Sequence, residues 1–315
     1  MITDIGIGIN IDQAGFSWSS YWSALISATV EDAAPTDVIL TFPSAASLVA
    51  TDITCTVNGI ARVVSSASWT GSVWTVVLAS AVIYGDVVVV TFGKTGQTQA
   101  VTNNIDHPAV IDDGNSVVWI DAVNPTYIVK DGSDLVSQLT DRTGLGNHLL
   151  QSGLDSLKPV WSADGVLLDG TTDYMESGAF LINTANTLYV VLKQVTWSDG
   201  EYIFSNSNVY VKQHGITPDI AITSGNAITD KLPLDTFGII RVIHNGGPSS
   251  IQINEETAGT GATGSNTWDK MILGASSGYV GQSNIQVKEI ILRKVVDNAT
   301  IQGLIYGYLK AKYGL

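Results

Sequence analysis

The stretch GVLLDGTTDYM, residues 165–175, reads as one strand and the turn that ends it. Val166, Leu167 and Leu168 form a short apolar run, and Asp169-Gly170-Thr171-Thr172-Asp173 then carries the residues of a tight turn. Gly170 supplies the positive φ such a turn needs, while Asp and Thr side chains bond the turn backbone. Outward from this stretch the same rhythm recurs, with strands expected at 117–120, 188–192, 202–204, 209–212, 220–223, 239–244, 251–254, 271–273 and 287–293. Residues 298–313 break the pattern. There Ile301, Leu304, Ile305, Tyr308 and Leu309 follow helical spacing, with Asn298 as N-cap and Gly314 as the stop.

Composition agrees with an all-β chain. Of 315 residues 45% are hydrophobic but only 14% charged, below the usual quarter, and 31 glycines fill part of the gap. The formal charge of −14 repels phosphate backbones, so no nucleic-acid partner is expected. One cysteine, Cys55, excludes an intramolecular disulfide and reads as a buried strand thiol. No run approaches the roughly 18 apolar residues that span a bilayer, so no membrane partner is expected. Residues 1–13 hold no basic region and carry Asp4 and Asp12, unlike a secretory signal. The chain is therefore expected to leave its host's cytoplasm by another route, such as assembly into a virus particle.

Residues 1–25 form an arm in which IGIGINI, residues 5–11, alternates apolar residues with Gly and Asn, followed by Phe16, Trp18, Tyr21 and Trp22. It either docks onto another protein or pairs with the next sheet. Residues 26–106 read as about seven short strands, with a hairpin signal at Asn58-Gly59. SATVEDAAPTDVILTF (27–42), CTVNG (55–59) and VWTVVLASAVIYGDVVVVTF (73–92) resemble the bacterial immunoglobulin-like modules of surface and phage proteins.

Residues 107–315 open on a linker and hold four ordered motifs. These are VVWIDAVNPTYIVKDGSDLVSQLTDRTGLGNHLLQ (117–151), KPVW (158–161), GVLLDGTTDYM (165–175) and YLKAKYGL (308–315). Together they resemble the concanavalin A-like, laminin G-like superfamily in the form found in bacterial surface and phage structural proteins. The resemblance implies a jelly-roll β-sandwich with a C-terminal helix, behind an immunoglobulin-like sandwich. It implies little about activity, because the fold hosts lectins, hydrolases and scaffolds.

In DRTGLGNH, residues 141–148, the residue types could serve a ligand, but Asp141 more simply caps a turn, Arg142 pairs locally and His148 fills a polar niche. Some laminin G-like domains bind calcium on the sandwich rim, and Asp121, Asp169 and Asp173 are the residues here that could do so. That metal is allowed, and no other cofactor is expected. Hydrolases of the family place two glutamates on one strand, and no such spacing occurs here, so no catalytic residue and no enzyme are expected. Trp197, Tyr202, Trp268 and Tyr279 lie near loops and are the candidate platform for a sugar ring, whereas Trp74, Trp119 and Trp161 read as core.

These readings lead to a phage virion structural protein, multicopy or homo-oligomeric on the particle surface. It would bind other virion proteins through the arm and display modules that adhere to host glycans. The alternatives are a bacterial surface adhesin or carbohydrate-binding module and, behind them, a glycan-degrading enzyme.

Overall fold

The computed structural model describes residues 25–43, 49–183, 185–223, 228–263 and 267–315. All but the last residue of the expected arm lie outside that set. The described residues are all-β except for one α-helix, Ala299–Tyr313, and divide into two units between Ala109 and Val110. No helix among them is long and apolar enough to cross a membrane.

The first unit is one path of eight strands. Ser27–Glu31 turns through Asp32-Ala33 into Ala34–Thr41, and on its other edge runs parallel to Thr98–Asn103, with Thr29 opposite Thr102. Val73–Leu78 and Val88–Phe92 alternate strictly between buried and half-buried positions, the period of a strand with one face on a core. Val30, Val38, Leu40, Trp74 and Val76 meet Cys55, Val57, Val88, Val90 and Phe92 in that core. The hairpin at Asn58-Gly59 forms as its residues demand, with φ of 53° and 77°. Cys55 is buried, and burial pushes its thiol up to about 11. Val64–Thr70 was not expected as a strand; it lies at the end of the path, pairs on one side only, and carries mainly Ser and Thr.

The second unit has two sheets. One runs Ile128–Lys130, Val136–Leu139, Leu149–Leu150, Met175–Ser177, Ile272–Leu273, Tyr202–Ser205, Tyr210–His214, Asp219–Thr223, Ile228–Lys231. The other runs Val160–Ser162, Gly165–Asp169, Asn284–Arg293, Asn186–Gln194, Phe237–His244, Ser249–Ile253, Gly259–Gly261. Ser116–Asp121 pairs with the far end of Asn284–Arg293. Val118, Leu188, Val190, Ile240 and Ile290 of this sheet share one core with Leu139, Met175, Phe204, Val211 and Leu273 of the first. Asn186–Gln194 is buried on both faces, because the second face of its sheet is covered as well.

The helix supplies part of that cover. Asn298 caps it by accepting from Ile301 N at 3.1 Å, and Gly314 ends it at a φ of 67°. Ile305, Tyr308 and Leu309 are buried, but Leu304 is 50% exposed, so the apolar stripe is narrower than its spacing implies. Arg293, fully buried, fastens the neighbouring chain. Its guanidinium meets Asp113, Asp297, Ser116 Oγ and the Val110 carbonyl, anchoring residues 110–116 to the sheet.

Candidate functional site

The helix is pinned through a polar net. Glu289 faces away from the shared core and is fully buried. Its carboxylate accepts from Trp119 Nε1 (2.9 Å), Tyr308 OH (2.9 Å), Lys312 Nζ (2.7 Å) and Tyr313 OH (2.6 Å). Lys312 also donates to Asp121 at 2.8 Å, and the Arg142 guanidinium lies 3.7 Å from the same carboxylate while stacking 3.7 Å over the Trp119 ring. Two buried carboxylates thus face two cations, which is what makes the burial of Asp121 and Glu289 tolerable. Burial pulls the Lys312 ammonium down, but Glu289 and Asp121 outweigh it and hold its pKa up.

This net corrects one expected metal ligand. Asp121 is engaged by Lys312 and Arg142, with two backbone N–H groups on its other oxygen. Asp169 and Asp173 instead close their own turn. Asp169 accepts from the backbone of Thr171, Thr172 and Asp173, and Asp173 accepts from Asp169 N at 3.0 Å. Burial, with the Asp169 charge beside it, pushes Asp173 up to about 6, against the lowering hydrogen bond from Asp169 N. Among the described residues, Asp121, Asp169 and Asp173 do not form a group of mutually close ligand atoms. Asp141 is likewise a turn organiser, accepting from Trp119 N, Thr143 N and Asn147 N, while His148 Nδ1 accepts from Asp141 N.

The four platform aromatics are not gathered on one surface. Trp268 is fully buried, donates to Asn186 Oδ1 at 3.2 Å and meets the His244 ring edge-on, so it is core. Its neighbours in sequence read as loop, but its bridge to Ile182 carries it inward. Trp197 is half-buried, and Tyr202 packs edge-on to Tyr210 and against Gly281. Tyr279 is the most exposed of the four, at 37%. It stacks on Tyr174 at 4.6 Å, donates to Glu176 at 3.0 Å beside Lys270, and holds a φ of 58°, a strained value for an aromatic residue.

A concave surface of this unit lies elsewhere. Two depressions of about 470 and 300 Å³ share Asn254, Glu255 and Tyr306 and so form one groove. Its walls are the helix flank (Ala299, Gln302, Gly303, Tyr306, Lys310) and Phe237, Arg241 and Gln252 of two adjacent strands, with the turn at Asn254 closing one end. Gly303 shapes it. A Cβ there would meet nothing within 4 Å, so packing does not require the glycine, although it costs a helix roughly 0.5–1 kcal/mol against alanine. Its missing side chain leaves the ring of Tyr306 bordering open space.

Polar groups converge on that space. Arg241 donates to Gln252 across the strand pair, yet its Nε is buried without a partner. Glu255 accepts from Lys310 at 2.8 Å, and Gln302 donates to the Asp297 carbonyl. Burial raises the Tyr306 phenol and lowers the Arg241 guanidinium, Glu255 adding to the first. Phe237 is less available, because Lys288 Nζ lies 4.1 Å from its ring centre. None of these groove residues was singled out in the sequence. The helix carries two glycines that packing does not require, Gly303 and Gly307, and the first of them lines this groove.

No protein-family model matches the chain, and no curated protein matches it. Solved structures do. A GH54 α-L-arabinofuranosidase is 13% identical with a TM-score of 0.48, over 64% of this chain and 64% of that one. The receptor-binding domain of botulinum neurotoxin type G is 12% identical with a TM-score of 0.44, over 63% and 52%. Trypanosoma rangeli sialidase is 9% identical with a TM-score of 0.44, over 90% and 52%. The chain spans about half to two thirds of the length of these proteins.

The expectation that the chain is no enzyme is corrected by these neighbours, since arabinofuranosidases and a sialidase stand among them. That expectation rested on missing motifs, the paired glutamates, a histidine metal spacing, a nucleophile elbow and a phosphate-binding loop, and a motif rule speaks only for the enzymes that carry it. At identities of 9–14% and TM-scores below 0.5, the likeness assigns this chain neither substrate nor reaction.

Proposed function

We propose that this chain is a glycan-binding display protein of a phage virion, an immunoglobulin-like module followed by a concanavalin-like jelly roll, with the groove beside the C-terminal helix as its sugar site. The groove carries the reading. It sets the Tyr306 ring beside a guanidinium, three side-chain amides and a carboxylate, groups suited to the face and vicinal hydroxyls of a pyranose. An open site of this kind binds one sugar weakly, and many copies on a particle supply avidity. Module order and the apolar arm support attachment to a particle through residues 1–25.

The test is a glycan array probed with the full chain presented multivalently, then calorimetry on each ligand found. Binding is expected to weaken about tenfold or more, at least 1.4 kcal/mol, in Tyr306→Ala and in Gly303→Gln. A flat array, or binding indifferent to both changes, would sink the groove as a sugar site. Mass spectrometry of purified particles decides display separately, and absence of the chain there would overturn the virion reading.

A further inference from the structure

The first unit holds a second constellation, independent of the groove. Asp32 lies in the turn between Ser27–Glu31 and Ala34–Thr41, while Asp106 and His107 lie just beyond Thr98–Asn103. Because that last strand runs parallel to Ser27–Glu31, the chain leaves it alongside the turn, with Asn104 N bonded to the Val30 carbonyl at 2.8 Å. Ile105 enters the core, and the next two residues are thereby set opposite Asp32.

We propose that Asp32, Asp106 and His107 form a binding site for a divalent first-row transition metal, zinc being the probe of choice. Three observations carry this. The His107 side chain is 6% exposed, yet its Nδ1 is directed at two carboxylates from separate segments, each about half exposed. One oxygen of each and that nitrogen all lie within 4.8 Å of one another, the only such group of His, Cys, Asp or Glu among the described residues. Nδ1 lies 3.3 Å from Asp32 Oδ2, close to the separation of about 3.3–3.5 Å that two zinc bonds of roughly 2.0–2.2 Å subtend at a tetrahedral angle.

The donor set fixes the class of ion. An imidazole nitrogen with two carboxylates suits zinc and its neighbours, whereas calcium takes oxygen ligands only. The pair His107–Asp106 now shares a hydrogen bond, so the ion enters as the Nδ1 proton leaves. Asp32 and Asp106 both reach solvent, which leaves an entry path and room for water as a fourth ligand. The bound ion ties the exit of the unit to its first turn, over a separation of more than seventy residues in sequence.

The experiment uses the full chain, stripped of metal and titrated with zinc by calorimetry, with cobalt(II) absorption as a reporter of coordination. One equivalent of zinc is expected to bind and raise the midpoint of thermal unfolding. Binding is expected to weaken roughly tenfold or more in Asp32→Asn and in His107→Gln, and to fade as acid protonates the ligands. Asp32 is at the surface, so its variant keeps the test clean if the buried His107 change unfolds the unit. The proposal is overturned if zinc does not bind, if both variants bind it as well as the parent, or if calcium competes equally.

Discussion

The buried Glu289 on the strand Asn284–Arg293 and the partly exposed Lys312 in the last turn of the helix form an ion pair at 2.7 Å, and this pair holds the helix flank where the groove needs it. Removing Lys312 leaves the buried Glu289 carboxylate without its cation, whereas removing Glu289 leaves Lys312 paired with Asp121 and partly in solvent. Lys312→Met is expected to destabilise the second unit by about 3 kcal/mol and Glu289→Gln by less, read by urea unfolding. The double variant should recover part of the Lys312→Met loss, because the uncompensated Glu289 charge is then gone. Additive losses would show that the pair is not the element that matters.

Gly303 separates stability from binding. Gly303→Ala should raise stability by roughly 0.5–1 kcal/mol, since a Cβ there meets open space. Gly303→Gln should stabilise as well, yet narrow the groove and weaken any ligand seated on Tyr306. Denaturation and calorimetry on the same three proteins check both halves.

His244 sets an acid limit. Burial lowers its pKa from 6.5 to about 3, and Nε2 has no partner. The folded value lies below the unfolded one, so this contribution to stability is complete above pH 6.5 and is lost as pH falls from about 6.5 towards 3. The loss approaches about 1.4 kcal/mol per pH unit. In His244→Phe the slope of stability between pH 6.5 and 4.5 should flatten, whatever the variant's absolute stability. An unchanged slope would show that His244 does not govern acid unfolding.

Asp173 acts with the opposite sign. Its folded pKa, about 6, lies above the ordinary 3.8, so its contribution is present below pH 3.8 and lost as pH rises through 6. Asp173→Asn keeps an oxygen for Asp169 N and removes the charge. It should therefore gain stability relative to the parent above pH 6 and show no gain near pH 3, measured by thermal unfolding across that range.

Local chemistry was legible in the sequence where it needed no distant partner. The Asn58-Gly59 hairpin, the Asp169–Asp173 turn and the cap at Asn298 all follow from side chains acting within a few residues. Asp121 misled because its partner Lys312 lies 191 residues away, and no spacing rule reaches that far. Trp268 misled because loop-like neighbours say nothing about the direction of a side chain carried inward by a bridge. The groove was invisible for a related reason, since it exists only where a bare helix flank meets a strand pair some fifty residues earlier. The strand alternation, by contrast, is a property of each segment alone, and it announced most of the sheets.

The parallel pairing of Ser27–Glu31 with Thr98–Asn103 bears on how the first unit takes force. Tension entering ahead of the first strand and leaving after the last pulls the two strands along their length in opposite directions. The bonds around Thr29, Val30, Thr102 and Asn104 are then loaded in shear and must break together, rather than peel one at a time. A unit wired in this way is expected to resist stretching along that axis more than its ordinary thermodynamic stability would suggest.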